Sequence, residues 1–208
     1  MKKQSFLRDN GLTIVLMAMF LFSLAGMLLT GWRELLQDLT AHGRPPISLW
    51  EFAASGRFVS ALFENWESEF LQMGAYVLLT ALLFQRGSAE SNDPDDPGRP
   101  DDEQGAGFTG WLYAHSLSLA LGALFLASFV LHWLGSLRSA QLDAELHGEA
   151  IPQLWDHLFS STLWFESFQN WQSEFLSTAL LVVLSIFLRH RGSPESKPVQ
   201  APHSQTGA

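Results

Sequence analysis

Apolar and polar positions fall in long blocks along this chain, not in the alternation of a half-buried strand. Gly11–Gly31 is 21 residues without a charge. That is about the length needed to cross ~30 Å of hydrocarbon at ~1.5 Å per residue. Ser116–Gly135 is a second block of the same kind, and Phe70–Phe84 and Phe175–Leu188 are shorter ones. A basic start followed by an apolar run also fits a signal peptide. The run is longer than such a core, however, and its partner recurs in mid-chain, where cleavage would make no sense. The pattern predicts four membrane helices, at about 11–31, 67–85, 116–135 and 172–189, the second and fourth extended by the polar turn that precedes each.

That polar turn is a repeated phrase. Asn65, Trp66, Ser68, Glu69 and Phe70 return as Asn170, Trp171, Ser173, Glu174 and Phe175, at a constant offset of 105. At the same offset His42-Gly43 falls on His147-Gly148, and Arg86-Gly87-Ser88 on Arg191-Gly192-Ser193. The chain therefore divides into a first helical-hairpin repeat at 10–91, an acidic disordered linker at 92–114, a second repeat at 115–196 and a disordered tail at 197–208.

Punctuation refines each repeat. Gly43 followed by Pro45 and Pro46, and Gly148 followed by Pro152, are helix stops, so the first helix of each copy projects past the bilayer. Ser48 and Glu51 have capping-box spacing at the start of a new helix. Leu49–Phe63 mixes aromatics with Glu51 and Arg57, too polar to span, and reads as amphipathic helix lying in the interface.

Charge changes the picture in two ways. The net charge is −9, which argues against nucleic acid as a partner, because phosphate binding needs clustered Lys and Arg. Most of the net negative charge sits in the connector: Glu90, Asp93, Asp95, Asp96, Asp101, Asp102 and Glu103 against Arg99. Of the 12 Lys and Arg, eight lie in the N-terminus, connector and tail, and four (Arg33, Arg44, Arg57 and Arg138) in the two intervening loops. By the positive-inside rule both termini and the linker are cytoplasmic. Each copy has an even number of spans, so the copies run parallel about a pseudo-two-fold along the membrane normal. Seven of the eight Trp then fall on the outer side. There is no Cys, which excludes disulfides, thiolate catalysis and Cys-based zinc sites.

The paired phrases FENWESEFLQ and FQNWQSEFL, with RGS-x-ES after each second span, resemble a family of small bacterial four-span membrane proteins carried as a domain of unknown function. The resemblance covers nearly the whole chain. It implies an all-α integral membrane protein of the bacterial inner membrane and attaches no chemistry.

Glu69, Gln72, Tyr76 and Thr80 share one helix face, and Glu174 and Ser177 the equivalent face of copy two. If the pseudo-two-fold brings these faces together, two carboxylates meet and share a proton or bind a cation. The plainer reading, that each Glu sits at interfacial depth and faces water, carries more weight. The copies differ here, since Glu64 and Glu67 become Gln169 and Gln172, so any site is asymmetric. Asp38/His42 and Asp143/His147 are i,i+4 pairs that could ligate a metal, but an exposed ion pair at a helix C-terminus accounts for the spacing equally well, without a metal. His132, where copy one has Met27, fits helix-end packing beside Trp133 better than a buried proton relay.

No phosphate loop, nucleophile elbow or intramembrane Asp pair is present. The sequence thus predicts a non-enzymatic structural or accessory membrane component without cofactor or bound metal. Its partners are the lipid bilayer and a membrane protein or second copy. The alternative is a small ion or proton permeation module built on the stripe around Glu69 and Glu174. A lipid-acting membrane enzyme, with His132, His42 or His147 set against a carboxylate, is a distant third.

Overall fold

A computed structural model describes residues 6–95 and 107–207. Every regular element among them is an α-helix: α1 (Phe6–Asp9), α2 (Gly11–Ala41), α3 (Leu49–Ala53), α4 (Gly56–Leu82), α5 (Phe108–Ala114), α6 (Ser116–His147), α7 (Leu154–Leu158) and α8 (Ser161–Phe187). The bounds of α3 and α4 shifted by 105 are those of α7 and α8, and α6 begins 105 residues after α2. Gly43 and Gly148, just past the ends of α2 and α6, take φ of 67° and 68°. Only glycine adopts that left-handed conformation at little cost, which is why the stop is repeated intact.

Two helices are long and apolar enough to cross a membrane, α2 and α6. The apolar side chains of α2 from Leu12 to Phe22 face outward, with Leu12 76% and Phe22 82% exposed. An all-round apolar surface of this kind belongs in lipid or against a partner, not in water. The expected second and fourth spans do not meet the same measure. Each forms the C-terminal part of a continuous 27-residue helix whose first half is polar. The expected interfacial helix at Leu49–Phe63 is likewise two pieces: the short α3, a break at Ala54 and Ser55, and the opening turns of α4. The break arises because Ser55 restarts the ladder by capping the amide of Phe58; Ser160 does the same for Leu163 ahead of α8.

The chain clusters into two compact units. One takes the residues up to Ala61 with Leu134–Leu154, and the other takes Leu62–Trp133 with the residues from Trp155 onward. In the first unit Ser48 caps α3 with the predicted reciprocal box to Glu51. The two acceptor bonds hold the Glu51 carboxyl below its ordinary value. Trp32 donates its indole N–H to the Ile47 carbonyl at 2.9 Å, and Leu35, Leu39 and Phe52 form the buried centre. Gly31 gives Phe52 its place, since a Cβ there would lie 2.8 Å from the ring. Gly56 and Gly135 let α4 and α6 touch backbone to backbone.

In the second unit aromatic rings pack in a continuous series, Phe125 and Trp171 at 6.2 Å, Phe129 and Trp164 at 6.0 Å, and Phe168 and Trp171 at 5.3 Å. Two segments expected to be disordered carry structure. Phe108–Ala114 of the linker is helix α5; positions 96–106 lie outside the described residues. The tail folds back onto the turn after α4. Lys197 is 1% exposed, and its Nζ donates to the carbonyls of Gly87 (2.5 Å), Gln205 (2.9 Å) and His203 (3.1 Å). Burial holds its ammonium below the ordinary lysine value. Composition alone concealed this: the segment has almost no apolar surface to bury, and its order comes from one cation satisfying a ring of carbonyls.

Candidate functional site

The most buried ionisable groups lie in the second unit, where α4, α6 and α8 meet. Glu64 and Glu67 are one turn apart on α4, His132 comes from α6, and Glu166, Asn170 and Trp171 come from α8. His132 and Glu67 are both 0% exposed. His132 Nδ1 lies 2.8 Å from Glu67 Oε2, and its Nε2 lies 3.2 Å from Glu166 Oε2. The other oxygen of Glu67 accepts the indole N–H of Trp171 at 2.9 Å. Asn170 donates to the Glu64 carboxylate and to the Glu166 main-chain carbonyl.

Charge balance decides what this arrangement can do. A neutral imidazole has one N–H, yet both ring nitrogens of His132 face carboxylate oxygens. Either the ring is an imidazolium, or one of the two carboxyls carries the proton. The two states have the same composition and differ by one proton moved along a hydrogen bond. An imidazolium between Glu67 and Glu166 offsets part of their negative charge, which matters most beside Glu67, whose side chain is fully buried. The cluster thus shares one proton between the ring and its two carboxylate neighbours. Its Glu67 end is sealed, and its Glu166 end, with the side chain 30% exposed, reaches the surface. Buried His157 stands on the Glu166 side; burial lowers its pKa from the ordinary value, with the charge of Glu166 opposing.

The residues of the candidate polar stripe are partitioned among separate local contacts. Glu69 is exposed and Glu174 partly so. Neither belongs to the buried cluster around His132. Gln72 donates to the hydroxyl of Thr178 and to the Glu174 main-chain carbonyl. Ser177 turns back to that same carbonyl at 2.9 Å. Tyr76 donates to Glu90 at 3.1 Å, and Thr80 to the Tyr76 carbonyl at 2.8 Å. In the repeated phrase, Ser68 and Ser173 each bond the carbonyl three residues back, of Asn65 and Asn170, both at 2.8 Å. Trp66 packs edge-on against Phe63. The phrase is therefore largely a helix-shaping element, except that copy two spends its Asn and Trp on the buried carboxylates.

In the first unit Asp38, His42, Asp143 and His147 do converge, and Arg57 joins them. Its Nη2 lies 2.8 Å from Asp38 and 2.7 Å from Asp143. His42 and His147 meet edge to face at 5.4 Å. Each directs Nδ1 to the carbonyl one turn back, Asp38 and Asp143 respectively. A guanidinium already sits between the carboxylates, and no group of three or more metal-ligating side chains occurs among the described residues.

The sequence held one clue to the true cluster. Glu64, Glu67, His132 and Glu166 stand opposite Gln169, Gln172, Met27 and Ala61 in the other copy. All four acid–base groups are positions where the repeats diverge, so comparing the copies for differences rather than identities finds the site.

Residues 3–208 match a family described as "Domain of unknown function (DUF6766)". No curated protein and no solved structure matches the chain.

Proposed function

Because the chain belongs to that family, to which no function is assigned, its chemistry must come from its own side chains, and we propose that it is a non-enzymatic, membrane-embedded proton-handling protein. The observation that carries this reading is the sealed Glu67–His132 hydrogen bond, continued through Nε2 to the partly exposed Glu166. Ionisable groups inside membrane helices are costly and mark proton or ion paths by default. Here Glu166 exchanges protons with one side, His132 passes them, and Glu67 releases them toward the other side when its hydrogen bond to Trp171 opens.

The reading takes four spans in the bacterial inner membrane, with both termini cytoplasmic. In support, Leu78, Leu79, Leu82 and Leu83 at the end of α4, and Leu176, Leu180, Leu184 and Phe187 on α8, are exposed as they are on α2. Since the chain has no Cys, single cysteines at Glu149 and Ser204 report sidedness directly. An impermeant thiol reagent applied to intact cells should label the first and spare the second.

The decisive experiment encloses a pH-sensitive dye in proteoliposomes and applies a membrane potential. The expected result is proton uptake above that of empty vesicles, abolished by His132→Asn and strongly reduced by Glu67→Gln. Wild-type vesicles no leakier than empty ones would overturn the proposal.

A second reading, a structural or accessory component with a membrane partner or a second copy, is supported by the completeness of the same network. Both Glu67 oxygens and both His132 nitrogens have partners on other helices, as in a fastening between α4, α6 and α8. On that reading the variants lose stability and there is no flux to lose.

A further inference from the structure

Within the second unit, α4 and α8 line an open groove of about 360 Å³, at the end of α4 remote from His132; the leucines of the groove also face outward. Its walls are mostly apolar, with Leu79, Leu83, Phe84 and Phe175 prominent, and Glu90 closes one end. Glu90 is not alone. The carboxyl of Glu195, its counterpart in the repeated RGS-x-ES turn, hydrogen-bonds it, and Tyr76 donates to it. Two carboxyls side by side place negative charge at this end of the groove.

Three cations near these turns are engaged elsewhere. Arg86 is a bidentate partner of Asp95, at 2.5 and 3.1 Å. Arg189 donates to the carbonyls of Leu188, Ile186 and Ala201, and the Nζ of Lys197 is enclosed by carbonyls. The result is an open apolar chamber of ligand-binding size, whose one charged lining residue is the anionic Glu90 and which these three cations leave unmatched.

We propose that this chamber is a binding site for a lipophilic organic cation, a quaternary ammonium with an aryl or alkyl body. The ammonium would sit at the Glu90–Glu195 pair, and the body would lie along the leucines between the faces of Phe84 and Phe175. A quaternary nitrogen suits the place because it needs no hydrogen-bond acceptor and is attracted to aromatic faces. An anion would meet the carboxyls with like charge, and a small hydrated metal ion would have to shed water into apolar walls. The site stands independently of the proton-relay reading, since its occupancy is an equilibrium property.

The test is titration calorimetry of the full chain in lipid nanodiscs with benzyltrimethylammonium, with empty nanodiscs as background. Neopentylbenzene, its neutral isostere, and benzoate serve as comparison ligands. Saturable cation binding is expected, about tenfold or more weakened by Glu90→Gln, and the neutral isostere should bind weaker by a similar factor. Leu83→Trp, which fills the chamber, should abolish binding without touching a charge, and it decides the matter if Glu90→Gln does not fold. No saturable binding to the wild type, unchanged binding in both variants, or equal binding of the neutral isostere would overturn the proposal. His132→Asn should bind the cation normally, so absent proton flux with intact binding rejects the relay alone.

Discussion

Glu67 and His132, 65 residues apart in the chain, share a 2.8 Å hydrogen bond with neither side chain exposed. Leaving one member of such a pair unpartnered in the interior costs about 3–5 kcal/mol, more than the pair itself contributes. Glu67→Leu and His132→Leu should therefore each lower stability by about that amount, whereas the double variant should be less destabilised than the sum. A double-mutant cycle from reversible unfolding in detergent measures the coupling. Strict additivity would mean that the contact carries no energy.

Backbone contact between α4 and α6 makes a separate prediction. A Cβ at Gly56 would lie 2.5 Å from the Arg138 Cβ and 2.7 Å from the Gly135 carbonyl oxygen, and one at Gly135 would meet the backbone of Ser60. Gly56→Ala or Gly135→Ala should cost about 1–3 kcal/mol through overpacking. Gly26 and Gly122 are also helical but have nothing within 4 Å of an added Cβ. There, alanine should be neutral or stabilising by about 0.5–1 kcal/mol. Thermal unfolding of the four variants separates the two pairs.

Much of the secondary structure was legible because local chemistry sets it. The Ser48–Glu51 box, the Gly43 and Gly148 stops and the two long apolar helices all follow from short-range rules, and the repeat doubles each signal. The site was less legible for a physical reason. Helix periodicity puts Glu69, Gln72, Tyr76 and Thr80 on one face but does not say which neighbour that face meets, and the neighbours bond them locally. Glu67 lies two positions from Glu69, about 200° round the helix, and there it meets His132, whose burial no pattern within α6 could reveal. The tail escaped for a related reason. Lys197 draws its order from carbonyls up to 110 positions away, and a composition window cannot sense that.

His157 predicts a pH effect. Its ordinary value is 6.5 and burial lowers it in the folded chain. The unfolded state therefore binds more protons in the window from 6.5 down to the lowered value. Stability contributed by the neutral ring is complete above that window and is lost as pH falls through it. His157→Phe, which installs the residue that Phe52 supplies in copy one, should flatten the pH dependence of the unfolding midpoint as pH falls below 6.5. A profile parallel to wild type would show that His157 does not contribute.

Lys197→Met should release the tail from the turn after α4. Amide exchange at Gly87, whose N–H bonds the Thr206 hydroxyl at 2.9 Å, and at Gly207, bonded to the Ser88 carbonyl at 2.9 Å, should rise by about tenfold or more as local opening becomes easier. Helices α6 and α8 should keep their protection. Unchanged exchange at both glycines would show that the ammonium does not hold the segment.

The divergence at Glu64, Glu67, His132 and Glu166 has an evolutionary consequence. A cluster assembled from two dissimilar halves cannot be rebuilt by a double dose of either one. The first would bring acids without an imidazole, and the second an imidazole without the acid that seals it. Split at the connector and produced from separate genes, the halves should complement each other, while neither should rescue a deletion by itself. The ancestral part was duplicable; its descendants have become mutually obligate, and tethering them in one polypeptide fixes their ratio at one to one.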